Sequence, residues 1–465
     1  MIGVTFLKGK NVAVMGLGKS GTATARALLA GGATLLAWDD DEAARRTAAV
    51  AGIPVANPLQ DGGVAADLVV WSPGIPHTHP KPHPLAEAAR AAGIPVVCDV
   101  ALLARARPDA RFVAISGTNG KSTTTTLLAH LLAQAGKPTA AGGNLGTAAL
   151  DLADLPEGGS IVLELSSYQL ELSDGLALQA AALLNITPDH LGRHGGMAGY
   201  IAAKRRLFDY LVPGGTAIVA VDDEPCRAIA DELSGQGLRV VRISVLAALA
   251  QGVSAPDGVL LDNGVPVADL SRFPRLPGRH NWQNVCAAYA VARAEGVSPE
   301  TIVAALASYP GLAHRQELVA EHDGVTWIND SKATNADATE KALVCRDTIH
   351  WIVGGRPKEG GIDALAPYFS RIAHAYLIGE ATEAFARTLA GKVPYTCCGE
   401  LGVAVEIAHR QAKPGATVLL SPACASWDQF ASFEHRGDVF REMVQALYDE
   451  GEDEDERPAT EGEMP

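Results

Sequence analysis

A short glycine-containing turn carries the residues of this chain that are best suited to bind polyphosphate. The apolar run from Phe112 to Ile115 predicts a strand, and Lys121 and Ser122 open a helical pattern after Gly120. Backbone N–H groups in such a turn point at an anion, the lysine adds a positive charge, and the serine hydroxyl is placed to ligate an accompanying Mg²⁺. The spacing therefore predicts a protein that uses ATP or GTP.

This turn is shorter than the general phosphate-loop pattern Gly-x-x-x-x-Gly-Lys, because Ile115 stands where that pattern has its first glycine. The competing interpretation is a plain strand-to-helix turn with a solvated lysine. We favour a nucleotide site, because glycines, lysine and hydroxyls all fall where phosphate binding needs them. Its expected residues are Gly117, Thr118, Asn119, Gly120, Lys121, Ser122 and Thr123.

A second glycine turn, Gly16-Leu17-Gly18-Lys19-Ser20-Gly21, follows a predicted strand near the N-terminus, and Asp39 ends the next strand pattern. This combination matches the dinucleotide-binding fingerprint, in which the turn holds a diphosphate and the acid binds a ribose hydroxyl. The pattern leaves NAD and other nucleoside diphosphates open, because the same turn serves any pyrophosphate. Two separate nucleotide turns indicate two nucleotides with different roles.

Four polar clusters follow the phosphate turn in strand-end, loop or helix contexts. They contain Asn144, Glu164, His190 and Lys204. An acid that ends the strand after a phosphate turn is well placed to hold Mg²⁺, directly or through water. Taken alone, His190 is equally compatible with a bystander loop histidine, and Lys204 is more simply read as a surface lysine on a helix.

Length and composition narrow the class of protein. A chain of 465 residues exceeds one hydrophobic core and predicts about three domains. We expect no membrane span, no secretory signal and no nucleic-acid partner, since the apolar runs are short and no basic face is concentrated. Seven scattered cysteines without a CxxC pair argue against a disulfide or zinc framework and favour the cytoplasm.

Strand and helix patterns alternate along the chain, which predicts an α/β fold with parallel sheets covered by helices on both faces. We expect three domains: a Rossmann-like nucleotide-binding domain at 1–108, a P-loop ATPase-like domain with a parallel sheet at 109–309, and a Rossmann-like α/β domain at 310–448. Residues 449–465 carry nine acids and one arginine, which is −8 of the formal net charge of −15, and we predict them to be a disordered, solubilising acidic tail.

Together these motifs resemble the Mur ligase family of ATP-dependent amide-forming enzymes, from the first glycine turn to about Arg436. The resemblance rests on segments 117–122, 142–146, 164–170, 189–191, 278–281 and 314–315. Segments 329–335 and 420–430 are similar to those of the members that add D-glutamate. Two places depart from the family pattern: Gly192 stands where a carboxylate is usual, and the glycine-rich segment 354–361 around Lys358 has a variant spacing.

The resemblance implies a ligase of peptidoglycan precursor synthesis that adds D-glutamate to UDP-N-acetylmuramoyl-L-alanine. ATP would phosphorylate the substrate carboxylate, and the amine would attack the acyl phosphate to give a tetrahedral intermediate. The implied partners are ATP, Mg²⁺ at two sites and the two substrates, and we expect a monomer. The open alternatives are a related ligase with another acceptor such as L-glutamate, an NAD-dependent oxidoreductase and a non-catalytic nucleotide-binding scaffold.

The resemblance also implies a role for each site residue. Lys121 would contact the ATP phosphates, Asn144 the reacting carboxylate, Ser122 and Glu164 one Mg²⁺, and His190 and a carbamylated Lys204 the second. The remaining ATP contacts would be Asn281, Asn284, Arg315 and Asp330. D-glutamate would bind Lys332, Thr334, Lys358, Ser426 and Phe433. The UDP-sugar would bind Leu17, Gly18, Lys19, Ser20, Asp39 and Gly74.

Overall fold

The computed structural model describes residues 1–60, 63–358 and 360–452. The chain divides into two compact units, residues 1–309 and the residues from Pro310 onward. This division coincides with the expected boundary between the second and third domains. The last helix ends at Glu452 and so includes the first four residues of the segment predicted to be a disordered tail. The rest of that segment lies outside the described residues.

The first unit begins with a four-stranded parallel sheet in the order β2-β1-β5-β6 and a separate two-stranded β3-β4 hairpin. The elements are β1 Asn11–Met15, α1 Lys19–Ala30, β2 Thr34–Trp38, α2 Glu42–Val50, β3 Leu59–Gln60, β4 Gly63–Val64, β5 Leu68–Trp71, α3 Pro84–Ala91, β6 Val96–Val97 and α4 Asp99–Ala106. The predicted domain boundary at 108/109 falls between α4 and the next strand, inside one compact unit, and stays a prediction.

A nine-stranded sheet fills the rest of the first unit, in the order β15-β14-β13-β12-β11-β10-β7-β9-β8. The elements are β7 Arg111–Ser116, α5 Lys121–Gln134, β8 Thr139–Gly143, β9 Ser160–Glu164, α6 Ser167–Leu170, β10 Leu178–Leu183, α7 Met197–Arg205, β11 Leu211–Ala220, α8 Glu224–Gly235, β12 Arg239–Ser244, β13 Val253–Ser254, β14 Val259–Asp262, β15 Val265–Asp269, α9 Arg279–Ala294 and α10 Pro299–Ala307.

The central sheet is parallel except at one edge, where β14 is antiparallel to both β13 and β15. Asn263 and Gly264 form the two-residue connection, with φ of 49° and 78°. Positive φ at both central residues is what a tight type I′ hairpin requires, and Asn-Gly is its preferred sequence. The signal was therefore present in the sequence, but the β-α-β interpretation passed over it.

The second unit contains a six-stranded sheet in the order β16-β17-β21-β18-β19-β20, parallel except for the β16–β17 pair. The elements are β16 Glu317–His322, β17 Val325–Asn329, α11 Ala336–Val344, β18 Ile349–Gly354, β19 Ile372–Ile378, α12 Thr382–Leu389, β20 Tyr395–Gly399, α13 Leu401–Gln411, β21 Thr417–Leu420 and α14 Phe433–Glu452. The apolar runs at 349–353, 375–378 and 417–420 lie in β18, β19 and β21.

The apolar runs explain why these strands lie inside their sheets. Phe112–Ile115 of β7 and Ile161–Leu163 of β9 are buried, because helices cover both faces of the sheet. A strand buried on both faces reads as a continuous apolar run, as in parallel sheets generally. The carboxyl ends of β7, β8 and β9 therefore meet at one sheet edge. None of the helices in the described part of the chain has the length and apolar composition to cross a membrane.

Candidate active site

The phosphate turn connects the end of β7 to the start of α5. Gly120 is the N-cap of α5 and has a φ of 83°. A Cβ at this position would lie 2.3 Å from Asn284 Oδ1, so the turn requires glycine for its conformation and for space. As an N-cap without a side chain, Gly120 leaves the N–H groups of the first helical turn to an anion. Ser122 and Thr123 lie in that turn.

Two lysine ammonium groups meet at one carbonyl of this turn. Lys121 Nζ donates to Gly117 O at 3.0 Å and to Thr118 O at 2.7 Å. Lys204 Nζ donates to the same Gly117 O at 2.7 Å. Lys204 is only 2% exposed, and burial together with the charge of Lys121 lowers its pKa to about 7. A substantial fraction of Lys204 is therefore a neutral, nucleophilic amine near neutral pH.

Glu164 ends β9 beside the strand that leads into the turn, paired with Ile115. Its Oε1 accepts a hydrogen bond from Asn144 Nδ2 at 2.8 Å, and Asn144 N donates to Glu164 O at 2.9 Å. The other carboxylate oxygen, Oε2, is buried and has no partner among the residues that the structure describes. An unpaired buried carboxylate oxygen is costly, so this atom is suited to a cation.

A hard cation such as Mg²⁺ fits the oxygen donors beside the turn. Glu164 offers its unpaired Oε2, and the Ser122 hydroxyl lies in the first turn of α5. Within residues 1–60, 63–358 and 360–452 there is no group of three or more His, Cys, Asp or Glu side chains that could hold a metal ion. His190 and Lys204 are therefore not part of such a group, and their predicted role as ligands of a second Mg²⁺ stays a prediction.

His190 lies on the loop before α7, in the left-handed region with a φ of 51°. Its side chain is 57% exposed, and its ring centroid is 5.5 Å from that of Tyr168. Gly192, two residues on, faces open space, because a Cβ there would meet nothing within 4 Å. The departure from the family pattern therefore removes a charge without creating a packing defect.

Asn281 and Asn284 lie on α9, which packs against α5. Asn284 Oδ1 accepts from Thr124 Oγ1 at 3.1 Å, and Asn284 Nδ2 donates to Asn281 Oδ1 at 3.1 Å. Asn281 Nδ2 in turn donates to Pro277 O at 2.8 Å. The structure brings Asn284 to the turn, while these bonds join the two helices. Their predicted contact with the nucleotide stays a prediction.

The sequence prediction missed the residues that form hydrogen bonds with the phosphate turn from the neighbouring strand end and helix. Asn119 N donates to Asn185 Oδ1 at 2.8 Å, and Thr118 N donates to Asn185 O at 2.9 Å. The hydroxyls of Thr118 and Tyr200 lie 3.1 Å apart. β10 ends at Leu183, so Asn185 lies just beyond the sheet. The polar Asn185 was the signal that the chain leaves the sheet there.

The first glycine turn lies at the carboxyl edge of β1 and is closed by the acid predicted to bind nucleotide. Asp39 Oδ2 accepts from Leu17 N at 2.7 Å, and its Oδ1 accepts from Asp41 N at 2.9 Å. A Cβ at Gly21 would lie 1.7 Å from Gly16 O, so helix α1 packs against the turn at backbone distance. Asp39 therefore shapes the turn, and a ligand contact would be an additional role.

The other residues predicted to bind the UDP-sugar lie in the first turn and after β5, and two of them contact loops of the central sheet. Lys19 Nζ donates to Gly146 O, next to the Asn144 segment. The Ser20 hydroxyl lies near the buried Asp99 carboxyl and opposes the rise in its pKa that burial causes. Gly74 O, after β5, accepts from Arg193 Nη1 at 2.9 Å. Lys19 and Gly74 thus connect the first sheet to loops around the phosphate turn.

In the second unit, Asp330 follows β17 and is 6% exposed. Burial raises the pKa of Asp330 to about 7, although hydrogen bonds from Ser421 Oγ at 2.8 Å and Gln316 N at 3.1 Å and the charge of Arg315 oppose this. The carboxyl is thus poised between its two protonation states near neutral pH. The structure places the predicted residues Asp330 and Arg315 in the same neighbourhood.

The residues predicted to bind the amino acid form a second group in this unit. Lys332 Nζ lies 3.6 Å from the centre of the Phe433 ring, and Lys358 Nζ donates to Thr334 Oγ1 at 3.3 Å. Thr334 N bonds to Lys332 O at 2.8 Å. Two ammonium groups and a hydroxyl are chemically suited to carboxylates. Ser426 is buried, and its carbonyl accepts from Phe430 N at 2.8 Å.

Arg436 joins the two sequence motifs of this unit, and we did not predict it. It is 1% exposed, and its Nη2 donates to Ser331 O at 2.9 Å and to Cys424 O at 3.2 Å. Burial lowers the pKa of Arg436 to about 10. Its position at the end of the resemblance was the only available signal, since an arginine on a helix is ordinary.

Comparison with known proteins places these features in a family. The Mur ligase middle domain model matches residues 115–292, and the Mur ligase, glutamate ligase domain model matches residues 314–424. A protein of Paramagnetospirillum magneticum named UDP-N-acetylmuramoylalanine–D-glutamate ligase is 69% identical over 455 residues, which cover 97% of this chain and 99% of the relative. A protein of the same name from Rhodospirillum rubrum is 56% identical, covering 94% and 95%.

Solved structures are similar to this fold at much lower sequence identity. The UDP-N-acetylmuramate-alanine ligase of Thermotoga maritima is 18% identical, with a TM-score of 0.60 over 94% of this chain and 100% of that chain. At this identity the likeness concerns the fold alone. It confirms the predicted α/β architecture.

Proposed function

This chain belongs to the Mur ligase family, and from that premise we propose that it is the ligase that adds D-glutamate to UDP-N-acetylmuramoyl-L-alanine with ATP. One observation carries the choice of acceptor: relatives at 69% and 56% identity over nearly the whole chain have that name. The arrangement of charges around the phosphate turn supports the chemistry. The reaction belongs to peptidoglycan precursor synthesis, and we propose that it takes place in the cytoplasm.

The proposed reaction has two steps. A carboxylate oxygen of the substrate attacks the γ-phosphorus of ATP, the bond to the β–γ bridging oxygen breaks, and ADP leaves. The amine of D-glutamate then attacks the acyl-phosphate carbonyl, and the tetrahedral intermediate collapses with loss of phosphate and a proton. Activation is needed because a free carboxylate is a poor electrophile. Positioning and charge stabilisation therefore provide most of the catalysis.

The phosphate turn would hold the β- and γ-phosphates through its backbone N–H groups and Lys121. In the structure the Lys121 ammonium bonds to two carbonyls of the turn, at 2.7 and 3.0 Å. Exchanging these neutral acceptors for phosphate oxygens gives stronger, charge-assisted bonds. Asn144 would orient the substrate carboxylate through its amide, whose other contact is Glu164.

Ser122 and Glu164 would hold one Mg²⁺, and His190 with Lys204 a second. Mg²⁺, when bound, supplies positive charge that neutralises phosphate oxygens. The lysine serves as a ligand only as a carbamate, formed when its neutral amine attacks CO₂ and loses a proton. The pKa of about 7 and the 2% exposure of Lys204 support this modification, because they favour the neutral amine. A carbamate also replaces one of two crowded positive charges with a negative one.

Each unit would contribute further binding residues. The first glycine turn would hold the diphosphate of the UDP-sugar, with Asp39 toward the uracil. Lys332, Thr334 and Lys358, with Ser426 and Phe433, would receive D-glutamate, whose two carboxylates match the two ammonium groups. Arg315 and Asp330 would contact ATP. We propose a monomer, which light scattering of the purified chain would test.

Phosphate release from ATP tests the proposal directly. The assay contains Mg²⁺ and UDP-N-acetylmuramoyl-L-alanine, with D-glutamate, L-glutamate or no amino acid. We expect release that requires both the nucleotide substrate and D-glutamate. Release with L-glutamate instead would keep the family and change the acceptor. Release without any amino acid, or none at all, would contradict the proposal. NADH fluorescence with the same preparation tests the oxidoreductase alternative.

A further inference from the structure

A buried chain of hydrogen bonds lies beside the proposed reaction centre and has no role in the mechanism above. His194 follows the loop that carries His190, and its side chain is fully buried. Its Nδ1 lies 3.0 Å from Glu171 Oε1, and its Nε2 lies 2.9 Å from Ser167 Oγ. Both ring nitrogens are therefore occupied, which fixes the orientation of the imidazole.

The chemistry of Glu171 determines the tautomer of this ring. Burial disfavours the carboxylate, but the His194 hydrogen bond and the neighbouring His77 ring outweigh this cost and hold the pKa of Glu171 at about 2. The carboxylate is ionised at neutral pH and only accepts hydrogen bonds, so Nδ1 of His194 carries the proton. In the neutral imidazole Nε2 is then an acceptor, and the Ser167 hydroxyl donates to it.

The same carboxylate reaches the first sheet. Glu171 Oε2 lies 3.2 Å from His77 Nε2, in the segment that follows β5. Arg90 Nη2 on α3 donates to His77 O at 3.2 Å and holds that segment. Glu171 therefore lies close to two histidines, with a hydrogen bond to His194 near the phosphate turn and an ion-pair contact to His77 near the predicted UDP-sugar segment.

On the other side, His194 supports the ring that packs beside His190. The imidazole stacks on Tyr168, with ring centroids 5.1 Å apart and planes inclined by 10°. Tyr168 also contacts the His190 ring, with centroids 5.5 Å apart, and the Arg193 guanidinium, 4.4 Å from its ring centroid. Arg193 also donates to Pro73 O and Gly74 O. The Tyr168 ring thus contacts both the buried His194 and the exposed His190, so it links the two histidines.

We propose that His194, fixed by Glu171, is a positioning residue that holds Tyr168 and the His190 loop in register with the substrate segment of the first sheet. The proposal rests on the proposed function, because the position of the His190 loop affects turnover only if that loop takes part in the proposed reaction. It assigns neither residue a contact with substrate. Taken as whole residues, Ser167 is 4% and His194 6% exposed, so both belong to the interior beside the loop.

Steady-state kinetics of four variants test this assignment. We expect His194→Phe and Glu171→Ala each to lower kcat by about 10- to 100-fold, as the loss of a residue that orients a reacting group typically does. KM for D-glutamate should stay unchanged. Glu171→Gln retains an acceptor for Nδ1–H and should stay within about threefold of the wild type. The double variant His194→Phe/Glu171→Ala should be no slower than either single variant, because the two residues act as one unit.

The matched control is His130→Phe. His130 Nε2 lies 3.0 Å from both Ala305 O and Ser308 Oγ, so this variant loses comparable bonds away from the turn. Its kcat per folded molecule should equal the wild-type value. An unchanged kcat in His194→Phe, a multiplicative loss in the double variant, or an equal loss in His130→Phe would each overturn the proposal.

Nitrogen NMR of labelled histidine gives a readout that needs no turnover. We expect the His194 resonances of the wild type to show a protonated Nδ1 and an unprotonated Nε2, and Glu171→Ala to lose that preference. The opposite tautomer in the wild type would overturn the proposal. A wild type without D-glutamate-dependent phosphate release would instead contradict the proposed function, while the tautomer would still report on the hydrogen bonds.

Discussion

The two glycine turns of residues 1–309 have the same strand–turn–helix geometry but different surroundings. The phosphate turn receives two lysine ammonium groups and lies beside Glu164, which has an unpaired buried oxygen. The first turn instead has the Asp39 carboxylate on the N–H of Leu17. The backbone of both turns is suited to an anion. Under the proposed function, the neighbouring side chains would decide whether a bound phosphate is only held or is also made to react.

The same substitution in both turns gives the largest expected difference. Lys121→Ala removes the ammonium that would stabilise the transferring phosphate, and we expect kcat to fall about 10³-fold. Lys19→Ala removes the lysine of the first turn, whose ammonium bonds to Gly146 O. This variant should change KM for the UDP-substrate and leave kcat within about threefold. Phosphate-release kinetics measure both, and equal losses of kcat would break the distinction.

The close packing of the first turn predicts a large loss of stability. A Cβ at Gly21 would lie 1.7 Å from a backbone oxygen of Gly16, whereas a Cβ at Gly18 would meet nothing within 4 Å. Gly21→Ala should therefore lower the free energy of unfolding by about 3 kcal/mol, as overpacking does. Gly18→Ala should change it by less than about 0.5 kcal/mol. Urea unfolding measures the difference, and similar values for both would refute the packing argument.

Replacing Asp39 should weaken binding of the UDP-substrate, with an effect of intermediate size. Asp39→Ala frees the N–H of Leu17 and removes the acid proposed for the uracil. We expect KM for the UDP-substrate to rise about tenfold, which corresponds to one charge-assisted hydrogen bond. KM for ATP should stay constant, since the phosphate turn is unchanged. A rise in both KM values would show that the two turns are coupled.

Gly192 gives the smallest expected effect. Gly192→Asp restores the carboxylate of the family pattern at an exposed position with space for a side chain. We expect the Mg²⁺ concentration for half-maximal activity to change by no more than about threefold, because exposed charges interact weakly. KM for the UDP-substrate should not change. A shift of an order of magnitude or more in the Mg²⁺ requirement would show that the wild-type glycine limits the reacting site.

The sequence was sufficient to predict the turns and the strands that precede them. Buried strands such as β7 read as apolar runs, and the spacing around Gly120 and Lys121 has a direct physical reason. Glu164 was also predictable, since a strand of three apolar residues ends in it. These features are local, and short stretches of chain determine them.

The partners of these residues could not be predicted, because the fold brings them from distant positions. Asn185 lies 66 residues from the Asn119 N–H that it accepts, and Lys204 lies 87 residues from Gly117. The burial that shifts the pKa of Lys204 comes from packing, which residue spacing does not report. The Glu171–His194 bond is a further example. Its residues look like ordinary polar positions of a helix end and a loop.

The position of β7 in its sheet has a consequence for the order in which the protein opens. It lies between β10 and β9, and its residues Phe112–Ile115 are at most 2% exposed. Its amides should exchange with deuterium among the slowest in the chain, because opening them requires separation from two neighbours. We therefore expect the phosphate turn to follow directly from a strand that is among the last parts of the chain to unfold. Under the proposed function, we therefore expect release of the nucleotide to leave β7 in place, so that the turn keeps its shape for the next ATP.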